Sequence, residues 1–130
     1  MLFDHIEFRV ADADRSLRFY EAALRCLGVE PVISIPADRT ASGGRRHGLG
    51  RDGYPRLWFH DGEAPVAPVH IAFAVENRAL VDAFHAAAIA AGGTDNGPPG
   101  VRTRYHDAYY AAYVLDPDGS NIEVVCQSAG

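Results

Sequence analysis

The chain has 130 residues, of which 48% are hydrophobic and 22% are charged, and its formal net charge is −5. This length and composition fit one folded domain and exclude a chain that is disordered throughout. All 12 basic residues are arginine, which excludes a lysine Schiff base within this chain, and the acidic balance argues against a nucleic-acid partner.

The sequence indicates neither a membrane protein nor a secreted one. Its longest apolar runs fall short of the roughly 18 residues that a membrane helix needs. Asp4 stands where a signal peptide requires positive charge, so we expect a cytoplasmic protein. Cys26 and Cys126 have no second cysteine nearby, and this spacing fits two free, core-facing thiols better than a redox pair or a zinc ribbon.

The first half of the sequence predicts a strand, a helix and three more strands. Residues 3–10 alternate between polar and apolar side chains, as in a half-buried strand. Asp12 and Asp14 can begin a helix that Gly28 ends. Short strands are then expected at residues 31–35, within the glycine- and arginine-rich residues 39–52, and at residues 56–59.

The second half repeats this plan. The stretch from His70 to Val75 matches the stretch from His5 to Val10, with histidine, isoleucine, phenylalanine and valine in register, and the match continues into the following helix at the same offset of 65 residues. Such self-similarity indicates a duplicated unit. We therefore predict one domain of two modules, over residues 1–62 and 66–130, joined by a short proline-containing linker.

The second module has its own turn and loop signals. It predicts a strand over residues 69–76, a helix that starts after Asn77, and strands over residues 109–115 and 121–127. The Asp-Pro-Asp-Gly sequence between the last two strands fits a tight turn. Residues 96–100, Asn-Gly-Pro-Pro-Gly, are expected to form a loop. The predicted fold class is α+β, with two curved sheets whose concave polar faces meet.

Three side chains on the predicted polar faces fit a metal site. His5 and His70 open the first strand of the two modules, and Glu123 lies on the polar side of the last strand. Two imidazoles and a carboxylate are a ligand set for a divalent metal that leaves positions open for water and substrate. A single histidine in a strand is usually an ordinary polar residue, and a single glutamate usually faces solvent. The repeat and the shared orientation nevertheless favour these three residues as ligands.

Motifs in both modules resemble those of a known family. They are His5-Ile6 with Val10, Asp12, Arg15-Ser16, Phe19-Tyr20 and Leu27-Gly28, and then residues 70–73, 116–119 and Ile122-Glu123. They resemble the vicinal oxygen chelate superfamily, which includes glyoxalase, bleomycin-resistance proteins and extradiol dioxygenases. The resemblance extends over nearly the whole chain and includes the Asn-Gly-Pro-Pro-Gly segment of many small bacterial members. It implies two βαβββ modules that form a curved half-barrel around a metal site, usually in a homodimer.

The resemblance also implies a ligand set. It assigns His5, His70 and Glu123 to metal ligands, with Glu123 as the predicted catalytic residue. The metal would be iron, manganese, zinc, nickel or cobalt, which this ligand set does not distinguish. Glyoxalase has a fourth ligand where this chain has Trp58 or its leucine neighbour. Neither side chain binds a metal, and His60 could take this role only after a local rearrangement, so the departure weakens a glyoxalase assignment.

The predicted function is that of a small metal-dependent enzyme whose substrate chelates the metal through vicinal oxygens. The reaction would be that of a lyase or isomerase, or the oxidoreductase reaction of a ring-cleaving dioxygenase. The residues predicted to contact this small molecule are Glu7, Arg9, Trp58, His106, Tyr110 and Tyr113. Glu7 and Arg9 could instead pair with each other, and tyrosines in strands are commonly packing residues.

Two alternatives use the same fold differently. One is a bleomycin-resistance-type protein that binds a small molecule without catalysis, with Trp58, Tyr110 and Tyr113 as stacking surfaces. Such binders as a group lack the full set of three ligands, and its presence here favours the enzyme. The other is a dimeric interaction domain, which the polar cavity faces make the weaker interpretation.

Overall fold

The computed structural model describes residues 2–65 and 67–128. In this part of the chain a strand, a helix and three strands follow one another twice. The elements are β1 (Ile6–Arg9), α1 (Ala13–Leu24), β2 (Glu30–Ile35), β3 (Arg46–Gly50), β4 (Leu57–His60), β5 (His70–Val75), α2 (Arg78–Ala90), β6 (Thr94–Val101), β7 (Tyr110–Leu115) and β8 (Asn121–Cys126). The same order in both halves follows the repeat in the sequence.

Each half of the sequence builds one four-stranded sheet. The strand order is β1-β4-β3-β2 in the first sheet and β5-β8-β7-β6 in the second. In each sheet the first strand pairs in parallel with the last one, and the other neighbours are antiparallel. The predicted α+β fold of two βαβββ modules is confirmed, although the two sheets are not closed into a barrel. The division into residues 1–62 and 66–130 stays a prediction.

Both helices begin at the capping residues expected from the sequence. Asp12 accepts a hydrogen bond from the backbone N–H of Arg15 at 3.1 Å, and Asn77 accepts one from that of Leu80 at 3.0 Å. After α1 the chain turns at Gly28, whose φ of 77° favours glycine. No helix in the described residues is long and apolar enough to cross a membrane.

One hydrophobic core contains both helices and the helix-facing side of both sheets. Its fully buried side chains include Phe19 and Tyr20 of α1, Phe84 of α2, Phe59 of β4 and Ile122 of β8. Removing such surface from water contributes about 25 cal/mol per Å². Because both halves contribute to this core, each sheet depends on the other half for part of its burial.

A polar contact also joins the two halves. The Tyr20 hydroxyl donates to Asp116 Oδ2 at 2.5 Å, and Asp116 Oδ1 accepts from the backbone N–H groups of Asp118 and Ser120 at 2.9 and 2.8 Å. Burial raises the pKa of Asp116, and burial together with this carboxylate raises the pKa of Tyr20 well above its usual value. Arg15 adds an ion pair to Asp118. These contacts hold α1 against the Asp-Pro-Asp-Gly turn of the second sheet.

The prediction of a loop at residues 96–100 is wrong, because these residues belong to β6. β6 is an edge strand and pairs with β7 alone. An edge strand tolerates Pro98 and Pro99, since one side of its backbone has no ladder partner. The pairing shifts register on both sides of Gly97, so local bulges accommodate residues that otherwise favour turns.

The polar faces of the two sheets point away from the shared core. His5 and Ile6 nevertheless line one cavity together with residues 71–74 of β5, so the edges of the two sheets approach each other within one chain. In the described residues, the side-chain hydrogen bonds of each polar face join residues of the same half.

Candidate metal centre

Strand alternation builds the polar face of the second sheet. In β8, Ile122 and Val124 are fully buried in the core, so Glu123 points to the opposite face. Its neighbours across the ladders are Ala72 of β5 and Tyr113 of β7. The small Ala72 side chain leaves room beside the carboxylate. Glu123 thus lies on the face that the alternation predicts.

Glu123 is almost completely buried by other side chains of this face. Its side chain is 3% exposed, whereas that of His70 is 54% exposed. Glu123 Oε1 lies 2.9 Å from His70 Nε2, and Glu123 Oε2 accepts a hydrogen bond from the Tyr109 hydroxyl at 2.5 Å. Both oxygens therefore have partners, which a buried carboxylate needs because an unpaired buried charge is costly.

The contact between His70 and Glu123 has the spacing of two metal ligands. Nitrogen and oxygen ligands lie about 2.0 to 2.2 Å from ions such as zinc, so two of them at right angles are about 3 Å apart. The 2.9 Å between His70 Nε2 and Glu123 Oε1 agrees with this separation. An ion bound by both atoms would replace their hydrogen bond, and the donor set fits a divalent metal.

His5 precedes β1 and is held by a different carboxylate. Its Nδ1 lies 2.7 Å from Asp4 Oδ1, and because a carboxylate only accepts, this nitrogen carries the proton. Asp4 also accepts from the Tyr54 hydroxyl at 2.8 Å. The hydrogen bonds from His5 and Tyr54 hold the pKa of Asp4 below its usual value. Because Nδ1 is engaged, Nε2 is the ring nitrogen of His5 that could face a metal ion, as in histidine ligands that a carboxylate orients.

The three predicted ligands do not form one group within a single chain. His70 and Glu123 are in contact, whereas the partner of His5 belongs to its own half. Among residues 2–65 and 67–128, no three histidine, cysteine or acidic side chains are close enough together to hold a metal ion. One chain thus supplies two candidate ligands at one place and the third at another.

Charged residues cover the polar face of the first sheet. Glu7 accepts two hydrogen bonds from the Arg46 guanidinium, at 2.9 and 2.8 Å. The guanidinium carbon lies 3.8 Å from the ring centre of Trp58. Arg46, followed by His60, lowers the pKa of Glu7 against the opposing effect of its partial burial. Glu7 and Trp58 therefore lie on the face that the alternation predicts.

His60 does not offer a fourth metal ligand in this arrangement. Its Nδ1 lies 2.7 Å from Glu7 Oε2 and its Nε2 lies 3.1 Å from Glu63 Oε1, so both ring nitrogens are engaged. Arg9 pairs with Glu63 at 3.2 Å, and the alternative pairing of Arg9 with Glu7 does not form. Trp58, which the resemblance aligns with the fourth glyoxalase ligand, stacks on the Arg46 guanidinium.

Two of the predicted contact residues lie on the polar face of the second sheet. Tyr113 is the ladder neighbour of Glu123, and its ring centre is 6.4 Å from that of His70. His106 Nε2 lies 2.8 Å from Gln127 Oε1. Tyr113 therefore borders the Glu123 carboxylate, whereas the His106 ring lies farther along, edge-on to the ring of Tyr109.

Tyr110 lies outside this face, and Tyr109 takes the place expected for it. Tyr110 is on the helix side of β7, where its hydroxyl donates to Asp82 of α2 at 2.6 Å. Tyr109 is not among the predicted contact residues, although the strand predicted over residues 109–115 includes it. Counting back from Tyr113 in steps of two reaches Tyr109, so the strand period contained the signal. Burial, and then Glu123 beside it, raises the pKa of Tyr109, which therefore stays a protonated donor.

A serine, a histidine and an aspartate also meet on the helix side of the first sheet. His47 is buried, with Nδ1 2.8 Å from Ser34 Oγ and Nε2 3.0 Å from Asp14 Oδ1. Asp14 also pairs with Arg45. Both nitrogens of a buried histidine are thereby satisfied, and α1 is tied to β2 and β3. We interpret this triplet as structural.

Comparisons with solved structures support this fold. A glyoxalase/bleomycin resistance protein from Albidiferax ferrireducens T118 is 31% identical, with a TM-score of 0.72 over 97% of this chain and 98% of that one. A glyoxalase/bleomycin resistance protein/dioxygenase family enzyme from Burkholderia phytofirmans PsJN is 21% identical, with a TM-score of 0.69 over 96% and 98%. Glyoxalase I from Zea mays is 20% identical, with a TM-score of 0.68, and this chain spans 45% of that protein.

The sequence comparisons are consistent with these structures. A search of curated proteins gave no match. The sequence profile of the Glyoxalase/Bleomycin resistance protein/Dioxygenase superfamily, in contrast, matches residues 2–124, nearly the whole chain. The chain therefore belongs to the glyoxalase/bleomycin resistance protein/dioxygenase superfamily.

Proposed function

We propose that this protein is a small metal-dependent enzyme whose substrate binds a divalent metal through two neighbouring oxygens. The observation that carries the proposal is the 2.9 Å contact between His70 Nε2 and Glu123 Oε1 on the polar face of the second sheet. A nearly buried carboxylate beside a half-exposed imidazole is a suitable pair of ligands for iron, manganese, zinc, nickel or cobalt. The family of the chain is consistent with this chemistry.

We propose His5 as the third ligand, contributed across a homodimer. The His5 side chain is 55% exposed, and its Nδ1 is already oriented by Asp4. Leu2, Phe3 and Ile6 beside it are 89%, 66% and 39% exposed, and an apolar group of this kind favours a protein partner. β1 and β5 are both edge strands. A second copy that covers β1 of one chain with β5 of the other would bring His5 to His70 and Glu123.

The residues of both polar faces would then surround one substrate. A bound divalent ion would supply Lewis-acid stabilisation for negative charge on the chelating oxygens. Tyr113 and His106 would border the substrate on one side, and Glu7, Arg9 and Trp58 would face it from the other protomer. Because Trp58 provides no fourth ligand, more metal positions remain open than in a four-ligand site. This supports ring-cleaving dioxygenase chemistry beside the lyase or isomerase alternative.

Metal content tests the proposal directly. We expect purified wild-type protein to contain about one divalent ion per chain. In the His5→Ala and His70→Ala variants this metal content should be lower by a factor of about ten or more. His85→Ala is the matched control, because His85 pairs with Asp95 on the surface and its loss should leave the metal unchanged. Elemental analysis by mass spectrometry measures the content. Metal content that neither variant reduces would contradict the proposal.

A binding protein without catalysis is the second candidate function. The three candidate ligands do not meet within the described part of one chain, and an aromatic cluster borders Glu123, with 4.7 Å between the ring centres of Tyr105 and Tyr109. Such a surface can stack on a planar ligand. Quenching of the single tryptophan by an aromatic ligand in metal-stripped protein, together with no turnover of catechols or of a methylglyoxal-thiol adduct by metal-loaded protein, would favour this candidate.

A further inference from the structure

The second oxygen of the Glu123 carboxylate has a partner of its own. Oε1 faces His70 Nε2 at 2.9 Å, and Oε2 accepts from the Tyr109 hydroxyl at 2.5 Å. The Glu123 side chain is only 3% exposed, so it has little room to rotate away from these two contacts. The two oxygens therefore differ in how easily they could bind a metal ion. Oε1 lies beside the candidate ligand His70, whereas Oε2 is hydrogen-bonded to the Tyr109 hydroxyl.

Tyr109 is itself held by the segment that precedes β7. Its backbone carbonyl accepts from Arg102 N at 2.7 Å, and its N–H donates to the carbonyl of His106 at 3.2 Å. The ring packs against Tyr105, with 4.7 Å between ring centres, and meets the His106 ring edge-on at 5.7 Å. The His106 ring is in turn anchored to Gln127 at 2.8 Å. The hydroxyl of Tyr109 thus reaches Glu123 from a constrained position.

We infer that Tyr109 is a positioning residue that makes Glu123 a one-oxygen ligand of the metal. By holding Oε2, the Tyr109 hydroxyl keeps this oxygen from the ion and directs Oε1 to the place beside His70 Nε2. This inference rests on the proposed function, because it assigns a role within the same metal centre. Hydrogen-bonding partners of this kind orient metal ligands, and their loss typically lowers metal affinity by about 10-fold to 100-fold.

The same contact leaves more of the coordination sphere for substrate. A carboxylate that binds through both oxygens takes two positions of the ion, whereas one that binds through a single oxygen takes one. With one oxygen of Glu123 as a ligand instead of two, a bound ion would keep one more position free. A substrate that chelates through neighbouring oxygens would need two free positions. Tyr109 would thus act on coordination number as well as on affinity.

Cobalt binding tests this inference without a known substrate. We expect Tyr109→Phe to weaken Co²⁺ affinity by about 10-fold or more in calorimetric titration. Tyr110→Phe is the matched control: it removes a hydroxyl from the adjacent tyrosine, whose 2.6 Å hydrogen bond to Asp82 lies on the other side of β7. Its Co²⁺ affinity should equal that of the wild type. Circular dichroism and urea unfolding show whether both variants are folded.

Infrared spectroscopy supplies a readout that a packing role would not change. The spacing between the two carboxylate stretching bands is wide for one-oxygen and narrow for two-oxygen coordination. We expect the Co²⁺-induced difference spectrum of wild-type protein to show the wide spacing, and that of Tyr109→Phe at saturating Co²⁺ to show the narrow one. The wild-type spectrum alone can reveal two-oxygen binding, which would contradict the inference. The inference can therefore be tested even if Tyr109→Phe does not fold.

The outcomes separate the inference from the proposed function. If wild-type protein binds no Co²⁺, or if His70→Ala does not weaken binding, the metal centre and the role of Tyr109 both fail. If His70→Ala weakens binding but the wild-type spectrum shows two-oxygen coordination, only the role of Tyr109 fails. The role of Tyr109 also fails if Tyr109→Phe binds Co²⁺ as tightly as Tyr110→Phe does. It fails too if Tyr109→Phe binds Co²⁺ more weakly but its carboxylate bands keep the wide spacing.

Discussion

Two histidines that match in the sequence repeat have different hydrogen-bond partners. His5 Nδ1 lies 2.7 Å from the adjacent Asp4, and His70 Nε2 lies 2.9 Å from Glu123 on a neighbouring strand. The first partner adjoins its histidine in the chain, whereas the second is 53 residues away in sequence. At the scale of a residue, strand alternation therefore predicts which way a side chain points, while its partners depend on which strands become neighbours.

The ion-pair network around Glu7 makes stability depend on pH. Because Arg46 and His60 lower the pKa of Glu7 in the folded protein, the unfolded chain binds this proton more readily. The contribution of Glu7 is complete above its unfolded pKa, about 4.3, and is lost as pH falls through the lower folded value. We expect Glu7→Gln to reduce the free energy of unfolding by about 1 kcal/mol at pH 7.

Urea unfolding of wild-type protein and Glu7→Gln between pH 7 and pH 3 measures this contribution. The difference should shrink as the pH falls below about 4.3. Glu21→Gln is the control, because Glu21 pairs with Arg25 at 3.6 Å on an exposed helix surface, where such pairs contribute little. A difference that stays constant with pH, or one that Glu21→Gln reproduces, would argue against the network.

At the scale of an element, β6 shows how position in a sheet overrides local preference. Its Asn-Gly-Pro-Pro-Gly sequence predicts a loop, yet residues Thr94–Val101 form an edge strand with register shifts around Gly97. Gly97 has a φ of 154°, and an added Cβ would lie 2.8 Å from Tyr113 Cδ1. The bulge and the polar face are therefore in direct contact, because the backbone of Gly97 occupies the space beside this ring.

Replacing Gly97 by alanine should combine backbone strain with a clash. We expect Gly97→Ala to lower the free energy of unfolding by about 1 to 3 kcal/mol and to displace Tyr113. Gly92→Ala is the control, since Gly92 also has a positive φ, of 99°, but an added Cβ would meet no atom within 4 Å. Chemical denaturation of both variants checks the prediction, which fails if Gly97→Ala is no less stable than Gly92→Ala.

At the scale of the whole molecule, the shared core decides which sides of the two sheets face outward. Both helices and the helix sides of both sheets bury their apolar residues in this core, so the polar faces turn outward on the same chain. His70 and Glu123 then belong to one face, and His5 lies at the edge of the other sheet. The homodimer proposed above would bring these three residues together between two copies of the chain.

Mixing two variants that each lack a metal ligand distinguishes a site shared between two chains from a site within one chain. If His5 and the pair of His70 and Glu123 come from different protomers, a dimer of one His5→Ala chain and one His70→Ala chain keeps one intact site. After random exchange of protomers, about a quarter of the wild-type metal content should return. Elemental analysis of the unfolded and refolded mixture measures this recovery. Metal content that stays at the level of the separate variants would contradict a shared site.

The sequence by itself determined the features that depend on local periodicity. The repeat predicted the same order of elements in both halves, and the alternation in β5 and β8 predicted that His70 and Glu123 face away from the core. Capping residues at Asp12 and Asn77 predicted the helix starts, and both accept the expected hydrogen bonds. These predictions succeed because a strand period of two and a helix cap are set by neighbouring residues.

Only the tertiary structure decided how these elements are arranged. Whether the two polar faces meet in one chain depends on which sides of the sheets share a core, and this is a property of packing between distant residues. The same holds for the partners of Glu123 and for the strand through Pro98 and Pro99, which needs an edge position beside β7. Periodicity orients a side chain relative to its own strand, but the contacts that it makes are set by long-range pairing.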